Sequence, residues 1–442
     1  MSGVPPTDTS VSTDVVAAAN PQHEEECVNG PISFHRRLRR WFWHVYARQF
    51  TLLAIIAVVI ADWIGRRRRP IDGEGCEIML TGRFDSDNWI LAHIGPLSAS
   101  KECSRLWMVS TNPVPALPKV VAIYPAKWLI KVVGATRARL LTFLWEAMRK
   151  RPHVVGGFHI MVNGIGAAIV GRLAGARSVY FCVGGPAEIR GGGIHGVECY
   201  FAGMETADAV VEKRLMRIVS DFDTIITMGT KAVDFFRDKG VDTNFHAVPG
   251  GIDPQRFQPT KGTPSIYLIM TGRLVPVKRI DVFLRALRNV VDKLPDVSAA
   301  ILGRGELRDE LQQLAVDLGV DRNVSIAGYR DNLTSWLQKS KVIVLTSDSE
   351  GLSLSVMEAM MAGLPAVVSD VGDLGDLVED GVNGYLVARR SPDLFADRII
   401  ELLTDARKLK AFSQAARRSA LRYETQATIQ RWDNILANCR NS

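Results

Sequence analysis

Glu350 and Glu358 bracket the run Glu350-Gly351-Leu352-Ser353-Leu354-Ser355-Val356-Met357-Glu358-Ala359. The run follows an apolar segment at 341–346 and ends at Gly363-Leu364-Pro365, a helix terminator. Glu350 then falls in a loop, and Glu358 about a turn and a half into the helix. Gly351, Leu352 and Ser353 would present free backbone N–H groups at the positive helix end, a seat for phosphate oxygens. A carboxylate on either side of that seat can hold sugar hydroxyls, one on a hexose and one on a ribose. By itself such a pair also arises by chance, as a loop acid and a solvated helix acid.

Its neighbours in sequence supply the missing cations. Thr271-Gly272-Arg273-Leu274-Val275-Pro276-Val277-Lys278-Arg279 closes an apolar segment, and Arg273 and Lys278 can neutralise a diphosphate while Gly272 lets the backbone approach it. Gly303-Arg304-Gly305-Glu306 and Gly328-Tyr329 close the next two apolar segments, and Gly381-Val382-Asn383-Gly384 turns into Tyr385-Leu386-Val387. In the first half, Gly156-Gly157-Phe158-His159 ends one apolar segment and Gly184-Gly185-Pro186-Ala187-Glu188 follows the next. Arg190 to Gly196 reads either as a mobile acceptor loop or as a plain flexible connection. Asp85-Ser86-Asp87 spells a metal-binding D-x-D, but it stands directly before Asn88-Trp89, where a helix cap belongs. No other grouping of His and carboxylates has ligand spacing, so no metal site is assigned.

The elements that must position these groups alternate. Strands are expected at 77–81, 105–110, 119–124, 153–157, 178–183, 224–228 and 245–248, with helices at 88–100, 164–174 and 230–239 among them. A second series has strands at 265–271, 297–302, 323–327, 341–346 and 366–369, and helices at 279–294, 306–318, 332–339, 353–361 and 394–404. Alternating α and β elements with continuously apolar strands imply parallel sheets covered on both faces. The two series meet at Pro249-Gly250-Gly251-Ile252-Asp253, which implies an α/β chain of two Rossmann-like domains facing a cleft. Ligands of such sheets bind at the carboxyl ends of the strands, so the chemistry belongs between the domains.

This constellation resembles glycosyltransferase family 4, the retaining "group 1" transferases of GT-B fold. The likeness is specific over about 249–404, looser over 76–248 and absent before residue 70. The resemblance implies that Glu350 contacts the donor sugar, Glu358 the ribose, Arg273 and Lys278 the pyrophosphate, and the Tyr329 region the base. Gly272, Gly303, Gly351, Leu352 and Ser353 complete the expected donor site. His159 matches a cleft histidine that the family usually carries as His-x-His, with glycine here in the first position; a core histidine is the alternative. The family linker usually has Asn where Gly250 stands. The segment 424–437 looks like the family's terminal helix that crosses back to the first domain. The implied reaction moves a hexosyl group from a UDP- or GDP-linked sugar, with retention and no metal cofactor, to a lipid-linked saccharide or other glycan. Alternatives are a nucleotide-sugar epimerase of the same fold and a silent membrane-anchored scaffold.

The amino terminus is of another kind. Among 442 residues with net charge +7, residues 1–33 carry five acids and no Lys or Arg, whereas 34–69 carry nine arginines against Asp62. The charge is concentrated in one short segment, so nucleic acid is not an expected partner. Residues 1–33 read as a disordered tail. Residues 34–70 read as a membrane-associated segment, with Trp41, Trp43 and Trp63 near the ends of an apolar run flanked by arginines. That run admits a short span, an interfacial amphipathic helix or a soluble core helix. A basic, aromatic stretch at 126–151 suggests that both segments dock on one anionic leaflet, on the cytoplasmic side. The expected division is then an acceptor domain at 71–248, a nucleotide-sugar domain at 249–420 and a crossing helix at 421–442. Six cysteines without a CxxC pair argue against a disulfide framework or a zinc site.

Overall fold

The computed structural model describes residues 34–71, 73, 75–194, 200–260, 262–388 and 391–441. The expected tail at 1–33, and the part of the 190–196 stretch that contains His195, lie outside the described residues. Two parallel sheets are present. The first has seven strands, β1 (Cys76–Thr81), β2 (Cys103–Val109), β3 (Val120–Ile123), β4 (Val154–Phe158), β5 (Arg177–Cys182), β6 (Thr224–Thr227) and β7 (Asn244–Ala247), in the order 3-2-1-4-5-6-7. The second has six, β8 (Ile266–Thr271), β9 (Ala299–Leu302), β10 (Val324–Ile326), β11 (Ser340–Leu345), β12 (Ala366–Ser369) and β13 (Gly384–Val387), in the order 10-9-8-11-12-13. Each order reverses once, between β1 and β4 and between β8 and β11, which opens a crevice at the strand carboxyl ends.

Side-chain alternation sorts the first domain into two cores. Met79, Trp107, Val155, Tyr180 and Ile225 face one side, with Phe143, Ala147, Ala167 and Val211 of the covering helices. Ile78, Leu80, Leu106, Val154, Phe181 and Ile226 face the other, with Ile90 and Ile94. The latter core is closed by the last helix, Thr425–Asn441, which inserts Trp432, Ile435 and Leu436. Asp433 of that helix accepts from Ser100 Oγ at 2.5 Å and from the Lys101 amide at 3.0 Å, so the carboxyl terminus is fastened to the first domain.

Gly250 has a physical reason. The linker runs against the helix Asp87–Ala99, with Gly251 N donating to Ala92 O at 2.7 Å. A Cβ at Gly250 would stand 3.1 Å from the His93 ring and 3.2 Å from Ala92 Cβ. The amino-terminal segment is one continuous helix, Phe34–Ile64, on the flank of the first domain. The basic stretch at 126–151 is two helices, Lys127–Val133 and Ala135–Lys150, broken at Gly134, whose φ is +83°.

Candidate active site

The second domain's carboxyl-end loops meet at Gly272 and Gly303. A Cβ on Gly303 would lie 1.7 Å from the Gly272 carbonyl oxygen, so a side chain there would force the β8 and β9 loops apart. The short turn Pro276–Lys278 follows, and Thr346 Oγ1 at the end of β11 donates to the Lys278 and Arg279 carbonyls at 3.2 and 2.8 Å. That tether aims Lys278 at the next loop: its Nζ lies 2.5 Å from Glu350 Oε1, with both side chains largely buried. Arg273 is exposed at the rim and, among the described residues, its guanidinium makes no hydrogen bond or ion pair, leaving it available to a ligand. Tyr329 is exposed under the Arg304 guanidinium, 4.5 Å from its ring centroid.

The helix Leu354–Met361 begins at Ser353, whose hydroxyl is spent on Ser355 Oγ at 3.1 Å rather than on a cap. Among the described residues the amides of Gly351, Leu352 and Ser353 have no acceptor. Unspent N–H groups beside the Lys278–Glu350 pair form an anion seat. Glu358 is buried, and loss of solvent pushes its carboxyl up to about 7, with Arg256 only partly opposing this. The arrangement thus joins Lys278, Glu350, Gly272, Gly303 and the 351–353 amides, with Arg273 and Tyr329 exposed on the neighbouring loops and Glu358 buried in the helix that follows the turn.

His159 stands across the cleft after β4, at φ +63°, a strained value for a side-chain-bearing residue. Its Nδ1 lies 2.9 Å from Glu188 Oε1. The same buried carboxylate accepts from Ile160 N at 3.0 Å, Tyr180 Oη at 2.8 Å and Gly184 N at 2.5 Å. Burial alone would raise its pKa, but the His159 ring and the other donors hold it below the usual carboxylate range. The glycine in place of the first histidine also has a cause. A Cβ on Gly157 would fall 2.2 Å from the Asn163 carbonyl oxygen, where the chain folds back after His159.

The two halves touch at this site. A Cβ on Gly351 would lie 2.3 Å from the Val183 carbonyl oxygen, and one on Gly185 3.7 Å from the Glu350 oxygen. The loop 183–188 that holds His159 therefore rests on the loop that carries Glu350. Sequence reasoning passed over Glu188 as a site residue; the available signal was an acid three residues after a Gly-Gly strand end. Asp373 and Asp376, which join the domains near Gly351, carried no motif. Asp85 pairs with Arg83 at 2.8 Å and Asn112 at 2.6 Å, and Ser86 caps the Asp87–Ala99 helix.

Residues 251–419 match the family model for glycosyl transferases group 1. A poly(ribitol-phosphate) alpha-N-acetylglucosaminyltransferase of Staphylococcus aureus is 32% identical over 184 residues, 41% of this chain and 36% of that protein. The chain thus spans about a third of that relative's length. A UDP-Gal:alpha-D-GlcNAc-diphosphoundecaprenol alpha-1,3-galactosyltransferase of Escherichia coli is 27% identical over 292 residues, 63% of this chain and 73% of that protein. Among solved structures, Anabaena Alr3699/HepE in complex with UDP and glucose superposes with TM-score 0.64 at 16% identity, covering 82% of this chain and 99% of that one. Residues 251–419 are thus similar to the group 1 glycosyltransferases, and the two parallel sheets share the GT-B fold of these structural neighbours.

Proposed function

We propose that the chain transfers a hexosyl group, with retention, from a nucleoside-diphosphate sugar to a lipid-linked saccharide or other glycan at the cytoplasmic side of a membrane. The carrying observation is the Lys278–Glu350 pair at 2.5 Å beside unspent amides of the 351–353 turn. Relatives that act on diphosphoundecaprenol-linked and polyol-phosphate acceptors, by their names, support the acceptor class.

In this reading Arg273, Lys278 and the 351–353 amides bind the diphosphate, Glu350 takes donor-sugar hydroxyls, Glu358 the ribose and the Tyr329 rim the base. The sugar C1–O bond to phosphate breaks while the acceptor oxygen bonds C1 on the same face, and the departing phosphate takes the acceptor proton. Negative charge grows on the diphosphate, so the two cations and the amides stabilise the transition state more than the ground state. His159, its Nδ1 held by Glu188 at 2.9 Å, is assigned to the sugar's side of the cleft from the first domain. The donor diphosphate is met by protein cations, and no metal is assigned a step.

Nucleoside-diphosphate release across a panel of UDP- and GDP-sugars, with and without lipid-linked and soluble glycan acceptors in EDTA, tests the reading. Acceptor-dependent release with one donor is the expected result. Interconversion of two sugar nucleotides without acceptor would identify an epimerase, and no turnover or nucleotide uptake a scaffold.

A further inference from the structure

The helix Phe34–Ile64 is long and apolar enough to cross a bilayer by length and composition. Its contacts nevertheless run along the flank of the first domain. Ala47, Thr51, Ala54, Val58 and Ala61 form its buried edge, against the helices Ile165–Ala174 and Ala209–Ser220. Arg36 and Arg39 bind Glu205 at 2.9 and 3.0 Å, and His44 and Arg48 bind Asp208 at 2.7 and 2.9 Å. At the far end Arg66 N donates to Arg172 O at 3.2 Å and Arg69 N to Gly175 O at 3.1 Å. The arginines that read as headgroup ligands are thus largely used internally, and Arg139 of the second basic stretch is buried. Spanning hydrocarbon would require giving up these bonds or drawing a charged flank in with the helix.

The opposite edge is apolar and uncovered: Leu53, Ile56, Ile60 and Trp63 are 64%, 44%, 51% and 87% exposed. On the same side of the first sheet, the paired helices Lys127–Val133 and Ala135–Lys150 expose Trp128 and Trp145 at 66% and 69%. Lys127, Lys131 and Arg137 of these helices are exposed with no acidic partner among the described residues, while Glu146, the one acid between 126 and 151, is held by Arg149 and Lys150. Apolar side chains, indole rings and unpaired cations on one face match an anionic headgroup layer. A second copy docked on the same patch would set these cations against each other.

We propose that this face docks on an anionic bilayer with the helix Phe34–Ile64 lying in the interfacial plane, its Leu53–Ile56–Ile60–Trp63 edge inserted, and not crossing. This deepens the membrane-side reading above and rests on it for the side of the membrane only. The test uses the full chain with vesicles of phosphatidylglycerol and phosphatidylcholine, against phosphatidylcholine alone. Co-sedimentation with the anionic vesicles should weaken at least about tenfold in Ile56→Glu/Ile60→Glu and in Lys127→Glu/Lys131→Glu, with UDP uptake unchanged as the control for folding. In inside-out vesicles from expressing cells, an epitope at Met1 should be digested by added protease without detergent. Undiminished vesicle binding in both variants, or an epitope protected while the domains are digested, would overturn the proposal. So would a vesicle-independent dimer that Ile56→Glu/Ile60→Glu dissolves. Failure of UDP uptake in the unaltered chain would strike the transferase reading and leave vesicle binding as an independent result.

Discussion

Lys278 and Glu350 neutralise one another before any ligand arrives, and this shapes what each variant should do. On the proposed reading, a donor diphosphate entering beside them would compete with Glu350 for the ammonium. Loss of a preorganised cation at developing negative charge typically removes about 3–4 kcal/mol of transition-state stabilisation. Lys278→Ala should therefore lower kcat by at least about a hundredfold. Steady-state kinetics with saturating donor checks this, and near-normal turnover would count against the diphosphate role. Glu358 makes a pH prediction. Its carboxyl, raised by burial to about 7, is partly protonated at neutrality. If the ionised form accepts the ribose hydroxyls, UDP affinity should rise with pH through about 7 and level off above it. Stability runs the other way: a raised carboxyl pKa adds most below the ordinary carboxylate range, and that contribution is lost as pH rises through 7. Calorimetric titration of UDP at several pH values, with Glu358→Gln as the flat control, tests the binding half.

At the scale of elements, the loops decide the geometry and the strands only aim them. Gly351 illustrates this, since the Val183 carbonyl oxygen would stand 2.3 Å from a Cβ there. Gly351→Ala must push the 350–353 loop away from 183–188, misplacing Glu350 and His159 together. We expect kcat to fall at least about tenfold from a displacement on the order of 1 Å, with the far core undisturbed. A melting temperature within a few degrees of the unaltered chain alongside that loss separates misplacement from unfolding. The strands were legible because buried parallel strands are short apolar runs bounded by Gly and polar residues. β12 at Ala366–Ser369 coincides with its expected span, and β8 differs by one residue. The candidate-site side chains stood out for a related reason: Gly272, Lys278 and Glu350 lie one, seven and five residues past the ends of β8 and β11. Glu188 stood out less, because what matters about it is His159, 29 residues earlier. The full 31-residue extent of the first helix was hidden for the same cause: its arginine-rich opening turns are fixed by Glu205 and Asp208, more than 150 residues away. The stretch 126–151 reads as one basic amphipathic helix, whereas the structure breaks it at Gly134, a local glycine signal that the charge pattern on both sides masks.

For the molecule as a whole, the question is what holds the two domains at one spacing across the cleft. The helix Thr230–Asp238 of the first domain starts at Gly229 and has no cap of its own. Its caps come from the second domain. Asp376 accepts from Thr230 N at 2.5 Å and Thr230 Oγ1 at 2.8 Å, and Asp373 Oδ1 from Ala232 N at 3.1 Å, while Lys231 reaches Asp370 at 3.0 Å. The Asp373 amide in turn donates to the Gly351 carbonyl at 3.3 Å, so this junction is hydrogen-bonded to the loop that carries Glu350. A cap of this kind contributes about 1–2 kcal/mol, and here it is present only while the domains are together. Asp376→Ala should therefore shift the population toward an open cleft. The measurable results are a larger radius of gyration by small-angle scattering and a several-fold higher donor KM. The kcat of donor-saturated enzyme should change little, because donor binding closes what the cap no longer holds. Burial raises the Asp373 carboxyl to about 6, and among the described residues its second oxygen is buried without a partner. Protonation relieves that buried charge, so the junction should tighten as pH falls through 6 and loosen as pH rises. Scattering at pH 5 and pH 8 on the unaltered chain, with Asp373→Asn as the insensitive reference, distinguishes this from a rigid cleft, which would give one radius at both.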